Sequence, residues 1–407
     1  MVEIRCGHLL DVRNGAWLPL RSIRVEGDRI VSVGPTDSTS TEGDIVDLQH
    51  ATVLPGLIDC HTHLIDDFGQ YSIAGPLLTS GAQLAFRAIP HARATLLAGF
   101  TTVRDVGTYR AFVDVALRDA IDAGIVLGPR MVPVGAYVTV TGGAGALTGL
   151  APDVALPLEL RFGEANGPDA VRQRVRAIVR GGAGCIKVMA TGAVLTPGSR
   201  PGAAEMTYDE LRAAVEEAGR AGLKVACHAH GTKGALDAVR AGVASIEHGS
   251  LLDDETLTEM KARGTFLVAD LYDNEAILQA TEHPAEFREK ELAVADSQVQ
   301  VFRRALALGV RLAYGTDAAV IPHGHNGRQF ATYVSHGMSP RQAIQSATVE
   351  AAELLGWPDR VGCLEPGRIA DLIAVEGNPL ETIATLERPI FVMKGGQTVS
   401  ATRVSLR

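Results

Sequence analysis

The amino-acid sequence predicts an α/β protein, a (β/α)8 TIM barrel carrying a small composite β-sandwich built from the N- and C-terminal segments. Three observations predict it. Apolar β-like runs alternate with helix-patterned segments between residues 54 and 360. Those runs are near-continuous rather than alternating, as parallel strands covered on both faces require. The two ends, 1–53 and 361–407, share a different texture of short strands and turns.

In order along the chain, "EIRCGHLLDV", "SIRVEGDRIVSVG" and "DIVDLQHATVL" read as strands of the terminal module, with a hairpin at Gly27-Asp28. The barrel strands are "VLPGLIDCHTH", "TTVRDVG", "RMVPVGAYV", "CIKVMATG", "KVACHAHG", "SIEHGS", "TFLVADLY" and "RLAYGTDA". Between them, "TYDELRAAVEEAGRAG" starts with Thr207 and Glu210 in capping-box spacing. "SPRQAIQSATVEAAELLG" does the same with Ser339, Pro340 and Gln342. Beyond the barrel, "RIADLIAVEG", "PIFVMKGG" and "TVSATRVSLR" return to the texture of the first module.

A chain of 407 residues accommodates a barrel of ~250 residues and a smaller module. The net charge of -9 is dispersed, which argues against a nucleic-acid partner. No run approaches the ~20 apolar residues of a membrane helix and the start lacks a signal-length apolar stretch, so a cytoplasmic protein with no membrane association is expected. Cys6, Cys60, Cys185, Cys227 and Cys363 are scattered and odd in number, as buried thiols of a reducing compartment are.

Six residues fall at or just past the carboxyl ends of five barrel strands, where catalytic groups of such barrels sit: His61, His63, Lys187, His228, His248 and Asp317. His61 and His63 are two apart on a strand and project to one side. Imidazoles and a carboxylate without thiolate suit zinc, and less often manganese, cobalt or iron. Lys187 lies between Ile186, Val188 and Met189, where a bare cation is costly. A salt-bridged structural lysine, a Schiff-base nucleophile and a carbamate formed with carbon dioxide compete. With histidines on both sides the carbamate, an anionic ligand able to bridge two metals, fits best.

These motifs resemble the amidohydrolase superfamily with a binuclear metal centre, and "GCLEPGRIADLIAV" is similar to the end of its composite β-sandwich. "VRDVG", "HAHG", "IEHGS", "AIQSAT" and "FVMKGG" resemble the branch of Xaa-Pro dipeptidases, arginine and lysine carboxypeptidases and ochratoxin-type amidases. The resemblance implies His61, His63 and Asp317 on one divalent metal ion, His228 and His248 on the other, and carbamylated Lys187 bridging them. It implies hydrolysis of a peptide or amide bond by a hydroxide shared between two ions, most simply Zn2+, with Asp317 moving the proton. A small peptide or amide substrate and a homo-oligomer are implied as well.

His230, two residues past His228, is expected to hydrogen-bond the scissile carbonyl or its oxyanion. Tyr272, His323 and Asn326 are expected to bind substrate at the barrel mouth, with His325 in solvent. Arg104 and Asp105 are expected to pair and brace the second strand, and Arg200 lies on a loop that is either a lid or merely solvated. Many branch members carry "TGGHG" where this chain has "TGGAG", placing Ala144 at the His position. A methyl neither donates a hydrogen bond nor balances a carboxylate, which points to a larger or modified peptide-like substrate. Alternatives are a cyclic-amide or imidazolone-type hydrolase, a deaminase, phosphotriester hydrolysis, or a scaffold without activity. The bridging lysine disfavours the deaminase and the filled ligand set disfavours the scaffold.

Overall fold

The structure, a computed structural model, describes residues 1–36, 44–402 and 405–406. Of the expected C-terminal strand texture, residues 403, 404 and 407 lie outside the described residues. The strands are β1 (Val2–Asp11), β2 (Ala16–Glu26), β3 (Arg29–Pro35), β4 (Asp44–Pro55), β5 (Leu57–Thr62), β6 (Phe100–Asp105), β7 (Arg130–Pro133) and β8 (Tyr137–Val138). They continue with β9 (Ile186–Met189), β10 (Val225–Gly231), β11 (Ser245–Leu251), β12 (Phe266–Val268), β13 (Leu372–Glu376), β14 (Phe391–Lys394), β15 (Gln397–Ala401) and β16 (Ser405–Leu406).

Both chain ends meet in one eight-stranded mixed sheet of order β15-β14-β13-β4-β1-β2-β3, with β16 beside β4. It is a single hydrogen-bonded path rather than two separate sheets. The expected β2–β3 hairpin is present, with Glu26 opposite Arg29 and Gly27 at φ +59°. Its own core includes Ile4, Ile23, Val46, Leu372 and Phe391.

The central strands are all parallel, in a three-stranded sheet β5-β6-β7 and a five-stranded sheet β12-β11-β10-β9-β8. The run "RMVPVGAYV" is thus split, its halves joining different sheets. At that seam Gly184 N donates to Pro133 O at 2.7 Å. Among the described residues the run "RLAYGTDA" forms only isolated parallel bridges, Leu267–Leu312 and Thr62–Ala318 placing it between β12 and β5, and Ala318–Ile321 beyond. Ala313 N donates to Leu267 O (3.1 Å) and Cys60 N to Tyr314 O (2.8 Å).

Helices cover these sheets. Thr207 and Glu210 cap helix Tyr208–Arg220 reciprocally, as the spacing predicts. Ser339 and Gln342 do the same for helix Pro340–Ser346, but the helical pattern then breaks before Val349–Leu355. The break has a local cause: Ser346 O and Ala347 O accept from Tyr314 N (3.0 Å) and Ile58 N (2.8 Å), so these carbonyls serve the strands instead of the helix. All five cysteines are buried and free. Among the described residues no helix is long and apolar enough to cross a membrane.

Candidate metal centre

The parallel strands deliver the expected residues to one cavity of about 470 Å³. His61 lies on β5 and His63 just past it. Lys187 comes from β9, His228 and His230 from β10, His248 from β11, and Asp317 from the run beside β5. Gly315 allows that run its close approach, because a Cβ there would meet Val268 Cγ1 at 2.3 Å and His61 Cβ at 2.9 Å. Asp317 N donates to His61 O at 2.9 Å. His248 and Asp317 hold left-handed backbones at φ 65° and 51°, a conformation costing a non-glycine residue on the order of 1 kcal/mol or more. Two strained residues facing one cavity is the distribution expected of a functional site.

His61 Nδ1 lies 2.9 Å from Glu247 Oε2, and His63 Nδ1 lies 2.6 Å from Gly107 O. Both rings therefore turn Nε2 toward Asp317 Oδ1, at 3.6 Å and 3.2 Å. That oxygen is buried yet has no hydrogen-bond partner, so neither approach is aligned for a shared proton. Two imidazole nitrogens and an orphaned carboxylate oxygen facing one point fit a divalent cation, and the anchored Nδ1 atoms fix the ligating tautomer. Burial, then the charge of Lys187, lowers the His61 pKa to about 4, which keeps that ring neutral. Burial works in the same direction on His63, but Asp317 raises it to about 9. Without a cation, positive charge still collects beside Asp317.

The second half of the expected centre is less tightly assembled. His248 lies 4.6 Å from His228 and 4.9 Å from His61, ring centre to ring centre. His248 Nδ1 is 2.5 Å from Asp270 Oδ2, out of line for a hydrogen bond, and His61, His248 and Asp270 form a second group at ligand spacing. His228 Nε2 faces Gly192 O at 3.3 Å and, among the described residues, joins no group of His, Cys, Asp and Glu at ligand spacing. Lys187 is buried and, among the described residues, makes no ion pair. Burial lowers its pKa, although Glu247 pulls the other way.

His230 lines the cavity, stacked on His248 with centroids 5.0 Å apart. Ser250 Oγ holds its Nδ1 at 2.8 Å.

Other expected positions are corrected. Tyr272 turns away from the cavity to a shallow surface depression, where its hydroxyl accepts from Arg328 Nη1 at 2.9 Å. The next residue, Asp273, lines the cavity instead, because helix Asp273–Gln279 starts there and redirects the side chains. Asn326 is fully buried behind the site, donating to Asp59 Oδ2 at 2.8 Å, while Asp59 Oδ1 accepts from His61 N at 3.1 Å. His323 sits behind the wall, stacked on His91 and bonded to Asp66 O at 2.9 Å. His325 is half-buried rather than in solvent. Arg200 is exposed, and it is Val194 and Thr196, earlier in its loop, that line the cavity.

Arg104 and Asp105 do not pair with each other. Arg104 grips both oxygens of Glu247 (2.8 and 2.9 Å) and donates to Cys60 O (2.6 Å), whereas Asp105 accepts from Leu64 N (2.7 Å) and Gly107 N (3.1 Å).

Ala144 lines the cavity beside Met189 and Ala193 in a small apolar patch. Its backbone is fixed at both ends, N donating to Glu205 Oε2 (2.8 Å) and O accepting from Thr196 Oγ1 (2.7 Å).

Sequence reasoning missed Glu247, Ser250, Asp270, Asp273 and Glu291. Glu247, Ser250 and Asp270 lie within quoted strand runs, and Glu291 interrupts the apolar stripe Phe287, Val294, Val301 of helix Ala285–Leu308. A carboxylate on the buried face of a helix was a readable signal.

The amidohydrolase family model matches residues 52–399. Ochratoxinase of Aspergillus niger is 35% identical over 369 residues, covering 85% of this chain and 75% of its own. A Xaa-Pro dipeptidase crystal structure with bound methionine in the active site is similar at TM-score 0.93 and 36% identity, over 98% of this chain and 100% of that one. A prolidase complexed with N-methylphosphonate-L-proline has TM-score 0.90 and 30% identity, with 98% and 100% covered. The chain belongs to the amidohydrolase family and is a hydrolase of amide bonds.

Proposed function

We propose that the protein is a two-metal hydrolase that trims a peptide-like substrate, a dipeptide, an acyl-amino acid or a modified peptide, at a peptide or amide bond. The observation that carries this reading is Asp317 Oδ1, buried and unpartnered between His61 Nε2 and His63 Nε2. Residues 54–360 would close as a (β/α)8 barrel around the site, with 1–53 and 361–407 forming the accessory β-module.

In this reading His61, His63 and Asp317 hold one ion and His228 and His248 the other, zinc suiting the donor set best. Such ions supply Lewis acidity toward the carbonyl and make water a nucleophile near neutral pH. Lys187 would bridge them as a carbamate: its neutral amine bonds to the carbon of CO2 and releases one proton to water. The absence of an ion-pair partner and the lowered amine pKa support this.

Asp317 would take the proton of the attacking water and return it to the leaving amine nitrogen. His230 would stabilise the carbonyl oxygen as negative charge develops. In the tautomer in which Nδ1 accepts from Ser250 Oγ, Nε2 would carry the proton needed for that bond. The apolar wall at Ala144, Met189 and Ala193 favours substrates without a carboxylate there.

Metal analysis of the purified protein and a hydrolysis screen test this together. About two equivalents of metal and turnover of at least one dipeptide, acyl-amino acid or amidated peptide are expected. Protein lacking transition metal and inert toward every dipeptide, acyl-amino acid and amidated peptide would refute it.

A further inference from the structure

The cavity has a second polar wall that the hydrolytic machinery does not use. Asp273, at the start of helix Asp273–Gln279, and Glu291, on helix Ala285–Leu308, both line it and are 5% and 2% exposed. Asp273 Oδ1 and Glu291 Oε1 have no hydrogen-bond partner, and among the described residues neither side chain makes an ion pair. Nearby donors are committed elsewhere. Gln298 Nε2 donates to Asp270 Oδ1 at 3.0 Å, and Lys290 Nζ is held by Thr196 O (2.8 Å) and Glu286 (3.2 Å). Asp270 and Asp317 face imidazoles, Asp270 Oδ2 lying 2.5 Å from His248 Nδ1 and Asp317 Oδ1 3.6 and 3.2 Å from His61 and His63 Nε2. Neither carboxylate has a cation of the chain to balance it, so in the ionised form each is costly in a buried wall unless a ligand supplies the charge.

We propose that Asp273 and Glu291 form a subsite for a primary ammonium, the free α-amino group of the residue whose carbonyl is attacked; this rests on the amide-hydrolase reading above. Position selects the α-amino group over a lysine side chain. Oxygens of Asp273, Asp270 and Asp317 lie within 4.8 Å of one another, so a cation beside Asp273 is next to the reacting carbonyl. An α-nitrogen is two bonds, about 2.5 Å, from that carbonyl carbon, whereas a lysine ammonium on a four-carbon stem reaches much farther. The subsite thus selects aminoacyl over N-acylated substrates.

Two measurements on the metal-loaded protein test it. In calorimetry, n-butylammonium is expected to bind at least tenfold tighter than n-butanol, and Asp273→Asn or Glu291→Gln is expected to abolish that preference. In kinetics, kcat/KM for alanyl anilide is expected to exceed that for N-acetylalanyl anilide at least a hundredfold, with the ratio collapsing in either isosteric variant. Equal affinity for amine and alcohol, or an anilide ratio near one, overturns the subsite. So does a preference that both variants retain, or a third metal equivalent that Asp273→Asn removes. If neither anilide is hydrolysed while the ammonium preference holds and depends on both residues, the hydrolase reading falls and the cation subsite stands.

Discussion

His61 Nδ1 lies 2.9 Å from Glu247 Oε2, and both side chains are buried. Burial alone would raise the pKa of Glu247, yet Arg104 and His61 hold it well below the usual carboxylate range. An ionised Glu247 only accepts, so His61 donates from Nδ1 and keeps the Nε2 lone pair for the cavity. Arg104 extends the chain to Ser245 Oγ and Cys60 O, locking the acid against β5 and β11.

Glu247→Gln should therefore affect metal and fold together. It leaves Arg104 buried without its counter-charge, a loss of about 3–5 kcal/mol for a broken buried pair. It also loosens the His61 tautomer, which typically weakens metal binding about 10–100-fold. Denaturant titration and metal content after dialysis check the two effects, and full metal retention would contradict the orienting role.

Lys187→Ala should lower kcat by about three orders of magnitude, equivalent to about 4 kcal/mol, and reduce the bound metal. Apo-protein reconstituted without carbon dioxide should regain activity slowly, and bicarbonate should restore the rate. Reconstitution indifferent to bicarbonate would leave Lys187 as an ordinary amine.

Chelation should destabilise as well as inactivate, since it returns Asp317 Oδ1 to a buried site without a partner. A ligand present at about 1,000 times its Kd contributes about 4 kcal/mol to the folded state. The melting temperature should fall by about 5 °C or more in excess chelator and recover with added zinc.

How much of this was legible in the chain depends on range. His61, His63, Lys187, His228, His248 and Asp317 could be read because each sits at the end of an apolar run, and strand ends of such folds share one face. The Glu247–His61 contact could not, since 186 residues separate its partners and no local pattern marks the pairing. Tyr272 was misplaced by one position, because a helix start redirects side chains where a continued strand would not. The eighth run satisfies its backbone through isolated bridges that period-two patterning does not reveal.

Glu291 offers a pH test independent of turnover. Burial, then repulsion from Asp270, raises its pKa from 4.5 to about 7. Between those values the folded protein binds a proton that the unfolded chain has released, so stability falls as pH rises from about 4.5 to about 7. The loss is on the order of 3 kcal/mol and is complete above the folded pKa. Glu291→Gln has no such proton to lose. In metal-free protein, urea unfolding should find the variant more stable than wild type at pH 8 and little different at pH 5. Parallel pH profiles would mean that Glu291 is already charge-balanced in the folded cavity, which its unpartnered Oε1 argues against.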